Sequence, residues 1–325
     1  MHFAICVWGI VRSLRFTLGS FQQYCLDPIT NAGHTYEIFL HTYKFNGFYN
    51  NARSGEINLR LNFDDWKLLN PQHVYVEDQD AFDSRTNYTS FQTLGDPWKN
   101  GFSSFKNHIR ALNSLHYLAT VVERESRKTH FDGVIFLRPD VTYINELPFY
   151  LLEHFPDALF VPDFHRSCEG NEYNDRMAMG NLTTAMAFGK KFEYALEYSQ
   201  RKMLNSEKFT YDHLRAQNVR VKEIPFRFKR TRATGKYHHR DVTGVIVPVD
   251  PKPVSPFDIF LQAFAEAIGI SSIDMHNVIN NKNDKAREDL FCKPHPYLSV
   301  SECRKYKELS ASKRGPPSVW GNTKP

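Results

Sequence analysis

Cysteine is scarce in this sequence, and the few present do not pair by spacing. Cys6, Cys25, Cys168, Cys292 and Cys303 are odd in number, widely separated and free of any C-x-x-C. That pattern argues against a disulfide framework and for reduced thiols in an intracellular compartment. Long hydrophobic runs are missing too: no stretch approaches the roughly 20 apolar residues that span a bilayer. The apolar start Met1 to Ile10 lacks a basic leader and meets Arg12 and Arg15 at once, so it reads as a buried strand and not as a signal peptide. Nor is charge of one sign blocked anywhere. With 41 Lys and Arg against 36 Asp and Glu, the net charge is +5, too mild to argue for nucleic acid but compatible with a small phosphate-bearing ligand. The sequence has no G-x-G-x-x-G after its first strand, no P-loop lysine motif, no G-x-S-x-G and no H-E-x-x-H. Dinucleotide binding of the Rossmann type, P-loop ATP hydrolysis, serine hydrolysis and zincin proteolysis therefore lack their marks. Cys292, His295 and Cys303 offer zinc three donors in a polar tail, without a fourth.

What is present is enough for a full core, since 41% of the 325 residues are hydrophobic and 14% aromatic. Short apolar runs alternate with longer amphipathic stretches, the pattern of an α/β protein with a mostly parallel central sheet flanked by helices. The expected strands are Phe3 to Trp8, Tyr36 to His41, His73 to Glu77, Gly133 to Leu137, Ala158 to Val161, Met177 to Gly180 and Val219 to Ile224. Helices are expected over Arg12 to Leu26, stopped by Asp27-Pro28, over Phe102 to Arg127, over Thr183 to Leu204 and from near Tyr211. Residues 45–72 and 78–100 show no sustained period and read as long connections of the kind that cover a site or hold an irregular insertion. One domain over 1–247 is expected, followed by a helical extension and polar basic tail over 248–325, with a helix from Pro256 to Ile268.

The segment Phe131 to Val141 is a buried strand that delivers Arg138-Pro139-Asp140 to its carboxyl end, where ligands bind in open α/β sheets. Pro139 has no ladder donor, so the strand must end or bulge there, and Arg138 and Asp140 should project at an edge. A surface ion pair closing the strand is the plainer alternative. Three further segments carry candidate chemistry: Asn174-Asp175-Arg176 at a polar turn, Tyr211-Asp212-His213 at an expected helix start, and the basic loop Lys229-Arg230-Thr231-Arg232 with Gly235 to Asp241. A turn pair at Asp175 and a first-turn carboxylate at Asp212 are the structural alternatives.

The order of elements and these local patterns, over about residues 3 to 240, resemble nucleotide-sugar glycosyltransferases of the GT-A fold, with Arg138-Pro139-Asp140 as a variant of the Asp-x-Asp motif. The resemblance implies transfer of a sugar from a nucleoside diphosphate donor to a glycan or other hydroxyl acceptor. It implies that Gly9 and Arg12 meet the nucleotide, that Arg138 and Asp140 hold the diphosphate, and that His238 and Arg240 close over the phosphates. Asp175 would contact sugar or acceptor, and Asp212 would be the base. Asp140 falls on the metal-binding position, so Mn²⁺ or Mg²⁺ is implied as cofactor. Arg138 stands where the first aspartate is usual, and a guanidinium can itself neutralise a diphosphate. A catalytically inactive glycan- or nucleotide-binding protein is the alternative.

Overall fold

The computed structural model describes residues 1–51, 54–165, 171–238 and 241. The expected boundary at residue 247, the helix from Pro256 and the basic tail lie outside the described residues, as does Arg240. Met1–Pro162 and Tyr173–Thr243 form one compact unit, to which all that follows refers.

The chain opens with β1 (His2–Trp8), α1 (Leu14–Phe21), α2 (Asp27–Asn31) and β2 (Thr35–Lys44). The helix expected to stop at Asp27-Pro28 instead runs on to Asn31. A π-helical turn over Gln22–Leu26 joins the two α segments, and Pro28 then falls in the first turn of α2, where its missing N–H costs nothing. The two long connections carry structure of their own. The first holds the hairpin β3 (Tyr49–Asn51) and β4 (Glu56–Leu59), and the second, beyond β5 (His73–Asp78), holds α3 (Gln79–Arg85). Next come α4 (Ser103–Glu125), β6 (Gly133–Leu137), β7 (Val141–Tyr143), α5 (Leu151–His154), β8 (Ala158–Pro162) and β9 (Ala178–Gly180). The described chain closes with α6 (Leu182–Gly189), α7 (Phe192–Arg201), α8 (Ser206–Ala216), β10 (Arg220–Ile224) and β11 (Phe228–Arg230).

All seven expected strands form one sheet, ordered β10-β8-β9-β6-β1-β2-β5. It is parallel except for β9, which runs against both β6 and β8. Side chains alternate across a strand. Ala4, Cys6 and Trp8 therefore share one face, where they pack in one cluster with Leu115, Leu118, Ala119 and Val122 of α4. Phe3, Ile5 and Val7 take the other face and are equally buried. A sheet covered on both sides explains why its central strands read as continuous apolar runs.

The expected single helix over Thr183 to Leu204 is two helices, broken after Gly189. At Gly189 a Cβ would lie 2.6 Å from Ala119 Cβ and 2.8 Å from Phe136 Cζ. The backbone thus approaches α4 and β6 more closely than a side chain there would allow. The helix expected from Tyr211 begins earlier, because Asn205 caps it by accepting the Lys208 N–H at 3.0 Å.

Candidate active site

The chain builds outward from β1 to β2 and β5, then returns to the opposite side of β1 with β6. That reversal opens a crevice at the carboxyl ends of β1 and β6, the place where open α/β sheets bind ligands. Register brings the two ends together: Val7 pairs with Leu137, so Trp8 and Arg138 emerge side by side, with the guanidinium 4.8 Å from the indole centroid. A cavity of ≈230 Å³ occupies the crevice.

Gly9 forms its floor with φ +100, a conformation that favours glycine. Its N–H donates to the His41 carbonyl at 3.2 Å and to Ser114 Oγ at 3.1 Å. His41 also bridges Ser114 Oγ, 2.9 Å from Nδ1, and Glu77, 3.1 Å from Nε2. This Ser, His and Glu set is buried and away from the cavity, so it fixes the Gly9 turn and offers no accessible nucleophile. Burial, opposed by Glu77, holds His41 below its ordinary value, which favours the neutral ring.

Beyond β6 the chain turns as Pro139 requires, and three hydrogen bonds fix the turn. The Arg138 N–H donates to Tyr143 Oη at 3.1 Å, Tyr143 Oη donates to the Arg138 carbonyl at 3.0 Å, and Thr17 Oγ1 donates to the Pro139 carbonyl at 2.7 Å. β7 then pairs with β11 in a separate two-stranded sheet. Its ladder continues where the Thr231 N–H donates to the Asp140 carbonyl at 2.9 Å. This small sheet, which the sequence did not announce, brings Arg230, Arg232 and His238 to the cavity.

Asp140 is 2% exposed and both oxygens of its carboxylate are hydrogen-bonded. Oδ1 accepts from Arg138 Nε at 2.6 Å, while Oδ2 accepts from Arg138 Nη2 and Arg12 Nη2, each at 2.7 Å. Burial would raise its pKa, but the Arg138 and Arg12 charges outweigh burial and hold it well below the carboxylate range. Arg12 also bonds Tyr49 and lies 3.6 Å from Glu56. Arg232 reaches Glu56 only at 3.8 Å; burial and the nearby Arg12 charge lower its pKa to about 10. Arg230 is better matched, donating to Asp241 from its backbone N–H, Nε and Nη2 at 2.6 to 3.0 Å. His238 Nδ1 lies 3.1 Å from Arg230 Nη2.

A divalent cation needs several unencumbered oxygens, and the donor set at Asp140 does not fit that need. Glu56 accepts from Ser54 Oγ and from the Ala233 N–H. Among the described residues, no three His, Cys, Asp or Glu side chains converge as a metal cluster. The metal-binding place implied for Asp140 is thus filled by two guanidinium groups.

The rest of the lining comes from Asp175, Arg176 and Ser206, from Trp98 in the connection before α4, and from Asn107, His108 and Arg110 in the first turns of α4. Asp175 Oδ1 lies 3.0 Å from Arg176 Nη1 but is poorly aligned for a hydrogen bond. Arg176 Nη2 donates to Glu207 Oε1 at 3.0 Å. Burial raises the pKa of both acids. At Asp175 the charges of Arg176 and His108 prevail and lower it, whereas at Glu207 the Asp175 charge adds to burial and raises it. Asp175 is therefore the ionised member of the pair. Burial lowers His108 to about 4, so it is neutral at physiological pH.

Behind this lining Lys191 is 1% exposed, its ammonium 3.4 Å from the Phe188 ring centroid and without a hydrogen-bond partner. Burial, opposed by Asp175 and Glu207, lowers its pKa to about 7 from 10.5. Between those values only the unfolded chain holds the proton, so stability rises with pH across the window. Lys191→Met is expected to flatten that rise and to stabilise the protein below pH 7. Urea denaturation of both proteins across the window checks this.

Of the residues expected at the site, the fold brings together Gly9, Arg12, Arg138, Asp140, Asp175 and His238. Asp212 is a correction. Because α8 starts at Ser206, Asp212 sits in its second turn, bonded to Tyr198 Oη and Lys202 Nζ at 2.9 Å and 3.4 Å from Lys208. It does not line the cavity. Sequence reasoning passed over Arg232, His108, Glu56 and Lys191. Arg232 lay in the basic loop already singled out, while the others sit in stretches whose pattern gives no sign of a site.

No family model matches the sequence, and no curated protein does. Among solved structures, the chain is similar to the apo form of mouse xyloside xylosyltransferase 1, at 11% identity over 69% of this chain and 84% of that one, with a TM-score of 0.36.

Proposed function

We propose that this protein is a GT-A-like glycosyltransferase that moves a sugar from a nucleoside diphosphate donor to a hydroxyl acceptor. One observation carries the reading: the crevice at the sheet's reversal point places a guanidinium-rich pocket, with Asp140 held by two of its arginines, beside a second ionised carboxylate that lines the cavity, Asp175. The pocket suits an anionic leaving group, and the carboxylate suits a proton.

In this reading Gly9 and Arg12 border the nucleotide, Arg138 and Asp140 form the diphosphate site, and His238 closes it. Asp175 takes over the role first expected of Asp212. The bond between the donor's anomeric carbon and the diphosphate oxygen breaks, and its electron pair leaves on the diphosphate. The acceptor oxygen bonds to the anomeric carbon and yields its proton to Asp175, if the configuration inverts. Charge grows on the leaving diphosphate as the bond breaks, which the surrounding guanidinium groups stabilise. Incubation of the protein with a panel of nucleotide sugars tests this. Release of nucleoside diphosphate is expected with at least one donor; silence across the panel with nucleotide binding retained would point to a binding protein instead.

A further inference from the structure

We infer that the donor diphosphate is bound without a divalent cation, by the guanidinium groups of Arg12, Arg138 and Arg232, and that Asp140 orients two of these arginines instead of ligating a metal. This rests on the donor reading above and specifies its chemistry.

Two observations on opposite sides of the charge balance point the same way. On the acidic side, both oxygens of Asp140 are already committed to guanidinium groups, Oδ1 to Arg138 and Oδ2 to Arg138 and Arg12. Its three hydrogen bonds from Arg138 and Arg12 are charge-assisted and short. A cation reaching Asp140 would have to compete with these guanidinium groups and stand beside them, a like-charge contact in a buried place.

On the basic side, capacity is left over. Among the described residues, Arg12, Arg138, Arg230 and Arg232 are four guanidinium groups, and the carboxylates paired with them, Asp140, Glu56 and Asp241, are three. The shortfall falls on Arg232. Its contact with Glu56 is long, at 3.8 Å, and its Nε is buried without a hydrogen-bond partner, as is that of Arg12. A guanidinium with a donor to spare, lining the same cavity as Arg12 and Arg138 and sharing Glu56 with Arg12, matches the flat, multiply charged face of a diphosphate. Pairing Arg138 with Asp140 also holds its planar group in place, so little side-chain freedom is lost on binding.

Calorimetric titration of the full chain with uridine diphosphate, guanosine diphosphate and inorganic pyrophosphate, each in EDTA and in excess Mn²⁺, tests the inference. At least one probe is expected to bind in EDTA, with Kd within about threefold of the Mn²⁺ value or tighter, and Arg232→Gln is expected to weaken that metal-free binding about tenfold or more. Binding that appears only with Mn²⁺, or tightens about tenfold with it, would overturn the inference and leave the donor reading standing. Wild-type affinity in Arg232→Gln would overturn the place given to Arg232. Failure of all three probes under both conditions would remove the donor reading and this inference with it.

Discussion

Asp140→Asn is expected to destabilise the protein by about 3–5 kcal/mol, the usual cost of removing one partner from a buried ion pair. The wild-type carboxylate is 2% exposed and receives three hydrogen bonds from two arginines. An amide keeps the shape but not the charge, so Arg12 and Arg138 would be left facing Arg232 with Glu56 as the nearest compensation. The sign with pH follows from the depressed pKa. Asp140 contributes stability above the ordinary aspartate value, and that stability is lost as pH falls through the lower folded value. Wild type should therefore lose stability in acid where Asp140→Asn, already without that contribution, changes less. Urea denaturation at neutral and acid pH measures both effects. Pyrophosphate should restore part of the loss in the variant, since its charge replaces the missing carboxylate. A loss below about 1 kcal/mol would mean that the three guanidinium groups are solvated and the pocket is not the low-dielectric site described above.

Asp175→Asn is expected to lower turnover by about 10²- to 10⁴-fold, the usual range for losing a positioned general base. Donor affinity should change much less than turnover, because Asp175 makes its ion pair with Arg176 and not with the arginines assigned to the diphosphate. A loss confined to turnover distinguishes a catalytic carboxylate from one that only steadies Arg176, whose second partner Glu207 remains in place. The pH profile gives a separate check. Arg176 and His108 outweigh burial and hold Asp175 below its ordinary value, so the base stays ionised across the neutral range. The acid limb of kcat/KM should accordingly fall below the ordinary aspartate pKa. Transfer assays with the donor found by the panel would show this. Turnover within about tenfold of wild type would take the proton-accepting role away from Asp175.

The seven strands were legible before any coordinates because each is a short apolar run between polar segments, and a sheet buried on both faces requires such runs. The end of β6 was legible for a different reason: Pro139 lacks a ladder donor, which called for an end or a bulge, and the strand stops at Leu137. Helix boundaries were less legible where tertiary contact outweighed local preference. Gly189 breaks a continuous amphipathic pattern because of what lies across from it, Ala119 and Phe136, and no local signal records that. The early start of α8 had a signal in the Asn205 cap, and that shift moved Asp212 from an expected active-site turn to a surface cluster of lysines.

Sequence alone determined that Arg138 and Asp140 stand at the end of a buried strand, because composition and proline chemistry act locally. Only the tertiary structure decided what Asp140 does. Its partners come from positions 12 and 138, and the uncompensated Arg232 is brought across by a two-stranded sheet with weak local patterning. Charges that meet through folding, from segments far apart in the chain, leave no spacing to read, and their balance is set by distance and burial.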